Sequence, residues 1–174
     1  MAKAKLLWID LEMTGLDPEK DKILEVAAIA TNMSLMDMGV FKAVVKVSDK
    51  LMKERMVGEF WEKNSESRDA LMEQNKKGKP IKEVEAELLK FLDQNFGKEI
   101  YLAGNSIHQD RKFIEREMPK LNKRLHYRML DVSAWKIYFE NGLGRKFVKP
   151  ENHRAFDDIK GSIEELKWYL TFLK

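Results

Sequence analysis

A mixed α/β fold is what this sequence predicts, and two observations predict it. Three strand-like segments follow one another closely before residue 48, and after two helical stretches the chain alternates strand, helix, strand, helix. Strands joined by short connections pair antiparallel, whereas strands separated by a helix need a crossover and lie parallel. The 174 residues set the scale of one domain, and 44% hydrophobic with 10% aromatic content supplies its core.

Each element has a local reason. Leu6-Leu7-Trp8-Ile9 is apolar at successive positions, the mark of a central strand covered on both faces, and two acids, Asp10 and Glu12, follow it. Gly15 and the Asp17-Pro18 pair make a turn, after which residues 23–31 and 40–47 read as two more strands of an antiparallel meander. A helical pattern occupies residues 57–75, and Pro80 suits the first position of a helix carrying Ile81, Val84, Leu88, Leu89 and Leu92. A short strand is predicted over residues 99–104, a helix from His108 towards Pro119, a strand near residues 129–132 and a further helix. Phe156, Ile159, Ile163, Leu166, Leu170 and Leu173 mark one face of a closing helix.

Composition narrows the chemistry. There is no cysteine, which excludes disulfide scaffolds, thiolate zinc sites and a cysteine nucleophile, so any metal takes oxygen or imidazole ligands. The apolar runs at residues 6–9 and 26–30 are far shorter than the ~18 residues of a membrane span, and the first apolar stretch ends in an aspartate before a secretory core forms. A cytoplasmic protein with no membrane partner is expected. Net charge is only +3, yet residues 111–128 hold seven Lys/Arg against two Glu, which concentrates an anion-facing surface there.

Asp10 and Glu12 are two apart on a strand end, so both carboxylates project to one side. On the residues alone two readings stand: solvated acids, or a pair sharing a cation that offsets their repulsion. Asp110 opens a predicted helix, where an acid also complements the helix dipole. At about 100° per residue Asp158 lies about 110° from the apolar stripe of the last helix and Asp157 about 150°, so Asp158 is the better candidate ligand. His153 precedes that helix, where a capping or surface role competes with a catalytic one.

Taken in order, Asp-x-Glu on the first strand, an isolated Asp mid-chain and His-x-Ala-x-x-Asp near the end resemble the three motifs of the DEDD 3′-5′ exonucleases, histidine branch. The likeness is closer to the oligoribonuclease family. It rests on residues 8–17 (WIDLEMTGLD), Gly104-Asn105-Ser106 with Gln109-Asp110, His126-Tyr127-Arg128 with Leu130-Asp131-Val132-Ser133, and His153-Arg154-Ala155 with Asp157-Asp158-Ile159. The resemblance implies an RNase H-like mixed five-stranded sheet flanked by helices, a single exonuclease domain over residues 1–174. It implies a 3′-to-5′ exoribonuclease that hydrolyses dinucleotides and other very short RNA to nucleoside 5′-monophosphates. By the same resemblance Asp10, Glu12, Asp110 and Asp158 hold two divalent metal ions, Mg²⁺ or Mn²⁺, and His153 is the general base.

Carried over further, Leu16 wedges between two bases, Trp61 and Tyr127 flank them, and Ser106, Arg128 and Ser133 cap the terminal phosphate. A homodimer is implied, with Tyr127 and Arg128 acting across its interface. Two features depart from the pattern: Glu66 stands where relatives usually carry histidine, and Ala134 where threonine is common. Glu66 is therefore left out of the site, Asp131 and Asp157 read as structural, and His108 and His126 have no assigned role. The alternatives are a nuclease trimming longer single-stranded DNA or RNA 3′ ends, and a non-catalytic nucleic-acid-binding module.

Overall fold

The structure is a computed structural model and describes residues 3–148 and 155–173. Five strands form one sheet: β1 (Ala4–Met13), β2 (Ile23–Thr31), β3 (Asp37–Val44), β4 (Phe96–Gly104) and β5 (Met129–Asp131). The described helices are α1 (Asp49–Arg55), α2 (Glu59–Lys63), α3 (Ser65–Gln74), α4 (Ile81–Asn95), α5 (His108–Glu117), α6 (Pro119–Asn122), α7 (Val132–Leu143) and α8 (Ala155–Leu170). Strand order is β3-β2-β1-β4-β5, with β1, β2 and β3 antiparallel and β1, β4 and β5 parallel. The expected mixed five-stranded sheet is the observed one.

Alternation along β1 divides the core. Leu7, Ile9 and Leu11 pack with Val26 and Ala28 against Leu88 and Leu92 of α4 and Phe113 and Ile114 of α5. Leu6 and Trp8 pack with Ala27 and Ile29 against Val132 and Phe139 of α7 and Ile159, Ile163 and Tyr169 of α8. Asp10 and Glu12 continue the second series, so both belong to the side that α8 covers. Trp8 is fully buried, and its indole Nε1–H is satisfied by Thr31 Oγ1 at 2.9 Å.

Two expectations are corrected and one unanticipated helix is added. The third strand lies at Asp37–Val44, not 40–47. After Val45 the backbone leaves β2: Lys46 N–H donates to Lys79 O at 2.8 Å and Val47 N–H to Asn75 Oδ1 at 2.8 Å, so a loop captures those donors. The single helix over 57–75 is broken into α2 and α3. Gly58 has φ +92°, outside the helical region, and Asn64 (φ −110°, ψ 38°) turns its amide back to Phe60 O at 2.8 Å. Finally, α1 emerges from a charged stretch with no apolar stripe, started by Ser48 Oγ accepting from Leu51 N–H at 3.3 Å.

Docking of α8 sets the position of Asp158, because Ile159 and Ile163 are both buried against the sheet. Ile159→Ala should cost about 2–5 kcal/mol, read as a drop in the thermal midpoint of about 2–4 °C per kcal/mol for a chain of this size. An unchanged melting curve would contradict this account of how the helix is held.

Candidate active site

Strand β4 pairs with β1 only as far as Trp8↔Ala103, whereas β1 runs on to Met13. Asp10 and Glu12 therefore stand on an overhanging strand end, at the carboxyl edge of the three parallel strands, where open α/β sheets collect their ligands. Asp158, in the first turn of α8, meets them there: one carboxylate oxygen from each of the three lies within 4.8 Å of the other two. Each is half-buried, whereas Asp157 on the same turn is exposed. Three carboxylates this close repel one another, and a set of hard oxygen donors suits a divalent cation.

Asp110 stands just outside that mutual group. Its Oδ1 accepts the Leu11 N–H at 3.1 Å, on the stretch of backbone between Asp10 and Glu12 that β4 no longer covers. Burial pushes its carboxyl up to about 7, against the smaller opposing effect of the Leu11 hydrogen bond. His153 lies outside the described residues.

A cavity of about 400 Å³ opens beside the acids, and Glu12 belongs to its wall together with Leu16, Arg55, Val57, Phe60 and Trp61. Trp61 is buried and donates its Nε1–H to Thr14 O at 3.2 Å. Leu16 is 75% exposed, and Gln109 Nε2 holds its carbonyl at 2.6 Å. Phe60 meets Trp61 edge to face, with centroids 5.1 Å apart. Sequence reasoning missed Arg55, Val57 and Phe60; the signal for Phe60 was an aromatic pair, Phe60-Trp61, set among charged residues. Behind the cavity Asp21 is fully buried. Burial raises its carboxyl, but hydrogen bonds from Arg55, the Asp17 N–H and Thr14 outweigh that and hold it below the usual carboxylate range.

The other expected residues form two further groups. Ser106 adopts a left-handed backbone (φ +48°), and its N–H donates to Asp131 Oδ1 at 3.0 Å and Ser133 Oγ at 2.9 Å. The Ser106 and Ser133 hydroxyls are 3.2 Å apart, and Asp131 caps α7 by accepting the Ser133 N–H at 2.9 Å. Tyr127, 71% exposed, stacks on His126 at 4.5 Å, and the Arg128 guanidinium lies 5.1 Å from the Tyr127 ring. Glu66 is an exposed residue in the first turn of α3, where its charge complements the helix dipole. Three of the seven basic residues of the stretch pair with acids of the chain: Arg116 with Glu19, Arg124 with Asp93 and Arg111 with Glu115.

Comparison with known proteins places this geometry. Residues 7–166 match the RNase_T exonuclease family. The chain is 40% identical over 176 aligned residues to the oligoribonuclease of Coxiella burnetii, covering 97% of this chain and 93% of that one. It is 39% identical to the oligoribonuclease of Chromobacterium violaceum, covering 97% and 96%. Among solved structures it resembles E. coli exonuclease I in complex with a 5cy-dA13 oligonucleotide (TM-score 0.65, 16% identity, 97% of this chain and 41% of that chain). A moderately thermophilic exonuclease I from Methylocaldum szegediense is similar (TM-score 0.62, 14% identity, 91% of this chain and 38% of that chain). The chain thus spans about two-fifths of those longer enzymes, and at such identities they show the fold alone. A near full-length match to curated relatives, on an exonuclease sheet with clustered acids at its carboxyl edge, makes this chain a member of the oligoribonuclease family.

Proposed function

We propose that this chain, acting as one exonuclease domain, removes nucleotides from the 3′ ends of dinucleotides and other very short RNA oligomers and releases nucleoside 5′-monophosphates. The broader class, a 3′-5′ exoribonuclease, follows from the family. One observation carries the finer reading: the acidic group and the apolar cavity share a wall, because Glu12 belongs to both. A phosphodiester at the carboxylates would have its base in the cavity.

Asp10, Glu12 and Asp158, with Asp110 beside them, would hold two cations, Mg²⁺ or Mn²⁺. When bound, such ions offset charge on the attacking and leaving oxygens and acidify a water. Trp61, largely buried in the cavity wall, and the exposed Leu16 would receive the bases, and stacking on an aromatic is worth ~1–3 kcal/mol per base without demanding a sequence. The Ser106 and Ser133 hydroxyls, with Arg128, would receive the terminal phosphate. His153 would take the proton from the attacking water as general base. Tyr127 and Arg128, exposed on the loop before β5, would reach the site of a second copy in a homodimer, in a cytoplasmic enzyme.

The short-substrate reading is supported by charge. A strand of many nucleotides needs a basic track along its phosphates, and here three of the seven basic residues of 111–128, Arg111, Arg116 and Arg124, are paired with acids of the same chain. End-product analysis on RNA two-mers against twenty-mers, with Mn²⁺ and with EDTA, is the test. Two-mers should be hydrolysed far faster and EDTA should stop the reaction; comparable rates on both lengths would refute the assignment. His153→Ala should lose about 10²–10⁴-fold in kcat, the range of general acid–base catalysis, while titrating Mn²⁺ as the parent does. Undiminished turnover would remove it from the mechanism.

A further inference from the structure

The segment of residues 14–21, which brings Leu16 to the cavity mouth, is wrapped around a single carboxylate. Asp21 Oδ1 accepts from Thr14 Oγ1 at 2.9 Å and from Arg55 Nε at 2.8 Å. Its Oδ2 accepts from the Asp17 N–H at 2.9 Å and from Arg55 Nη2 at 3.0 Å. Four donors on two oxygens, two of them from a guanidinium fork, fix direction as well as distance. Gly15 lies so close that a Cβ there would stand 2.5 Å from Asp21 Oδ2. The backbone is thus drawn against the carboxylate.

Arg55 ends α1 and itself lines the cavity, and its chain continues directly into Val57, Phe60 and Trp61, which line the cavity with Gly15 and Leu16. One guanidinium therefore joins the two lining segments, 14–21 and 55–61, and the ties multiply around Leu16: Trp61 Nε1 donates to Thr14 O and Gln109 Nε2 to Leu16 O. An exposed leucine gains nothing in stability from a backbone held so firmly; presentation of its side chain to a ligand does gain. Asp21 is fully buried whereas the Arg55 side chain stays partly exposed at the cavity, so the pair links the interior of the turn to the cavity lining.

We propose that the pair of Asp21 with Arg55 is a positioning device for nucleotide binding: it sets the gap between the lining segments that carry Leu16 and Phe60/Trp61, and so the affinity for a base held between them. Neither residue touches the scissile phosphate. The inference rests on the reading of the cavity as the seat of a nucleobase.

The test uses the full-length protein, the variants Arg55→Gln, Leu16→Ala and their combination, and a 5′-phosphorylated diribonucleotide. KM and kcat are measured with Mn²⁺, and Kd by calorimetry in EDTA. Arg55→Gln should raise KM and Kd about 10-fold with kcat within about 2-fold, a loss of binding shared by ground and transition states. Because the pair acts through Leu16, the double variant should bind no more weakly than the weaker single variant, a departure from additivity that marks coupled residues. Should Arg55→Gln fail to fold, Arg55→Lys keeps the charge, loses the fork and should raise KM by about 3-fold. Fully additive losses would overturn the proposal by making Arg55 an independent contact. So would a lowered melting point with unchanged KM, or a fall in kcat at constant KM. If the unaltered protein itself neither binds nor cleaves the diribonucleotide, yet cleaves bis(p-nitrophenyl) phosphate, the base-seat reading fails first, and the proposal with it.

Discussion

Asp10→Asn or Asp158→Asn should reduce hydrolysis of a 5′-phosphorylated diribonucleotide by about a thousandfold or more while leaving the fold intact. The size follows from the several kcal/mol of charge stabilisation that bound cations supply, at about 1.36 kcal/mol per tenfold in rate. Asparagine preserves the shape of each side chain and one of its oxygens, so packing of the half-buried acids is undisturbed. What disappears is one of three negative charges whose oxygens lie within 4.8 Å of one another. Calorimetric titration with Mn²⁺ should show the matching loss of affinity, and the metal-free variants should melt no lower than the parent, since mutual repulsion is relieved. A variant with full turnover would sever the acidic group from the chemistry.

Asp110→Asn is expected to produce the second large effect, one that runs in opposite directions in stability and in activity. In the folded chain the carboxyl titrates near 7, whereas its ordinary value is 3.8. Between those values the folded state holds a proton that the unfolded state has released, so the contribution of this residue to stability falls as pH rises through the window and stays lost above it. Asparagine keeps an oxygen for the Leu11 N–H and removes the ionisation. At pH 8 in EDTA the variant should therefore melt above the parent by several degrees, at about 2–4 °C per kcal/mol, with the gap closing towards pH 4.

Mn²⁺ should raise the melting point of the parent at pH 8 and much less that of the variant, and activity at limiting Mn²⁺ should fall in the parent as pH drops below 7. Melting curves from pH 4 to 8, with and without Mn²⁺, check both signs. A variant less stable than the parent at pH 8 without metal would refute the burial penalty on Asp110.

How much of this was legible beforehand differs by element. Strand β2 has the bounds its largely apolar run announces: all nine positions are buried, and its two polar side chains are hydrogen-bonded, Glu25 to Gln74 and Thr31 to Trp8. The grouping of Asp10 with Glu12 follows from the two-residue alternation of a strand, and the preference for Asp158 over Asp157 from helical phase, with Asp157 exposed. The end of β3 was misplaced because residues 45–47, Val-Lys-Val, continue a strand-like alternation but are bonded to the loop that contains Asn75 and Lys79. The cavity was read only in part: Leu16 and Trp61 came from the family pattern, while Phe60 sits in a segment whose helical period is broken at Gly58 and Asn64, and Arg55 ends the charged helix α1, which carries no apolar stripe. In the basic run at 111–128 the pairing of Arg116 with Glu19 and of Arg124 with Asp93 was not legible, because those acids are distant in sequence.

By itself, the order of residues determined the mixed sheet, its antiparallel opening and parallel close, and the types of side chain able to do the chemistry, since each of these depends on periodicity and composition over a few neighbouring positions. Only tertiary structure decided that β1 overhangs β4, that Asp110 is buried on the Leu11 amide between two other acids, and that Asp21 and Arg55 meet behind Leu16. Those outcomes depend on desolvation and on contacts between residues 34 and 99 positions apart, and neither is encoded in local pattern.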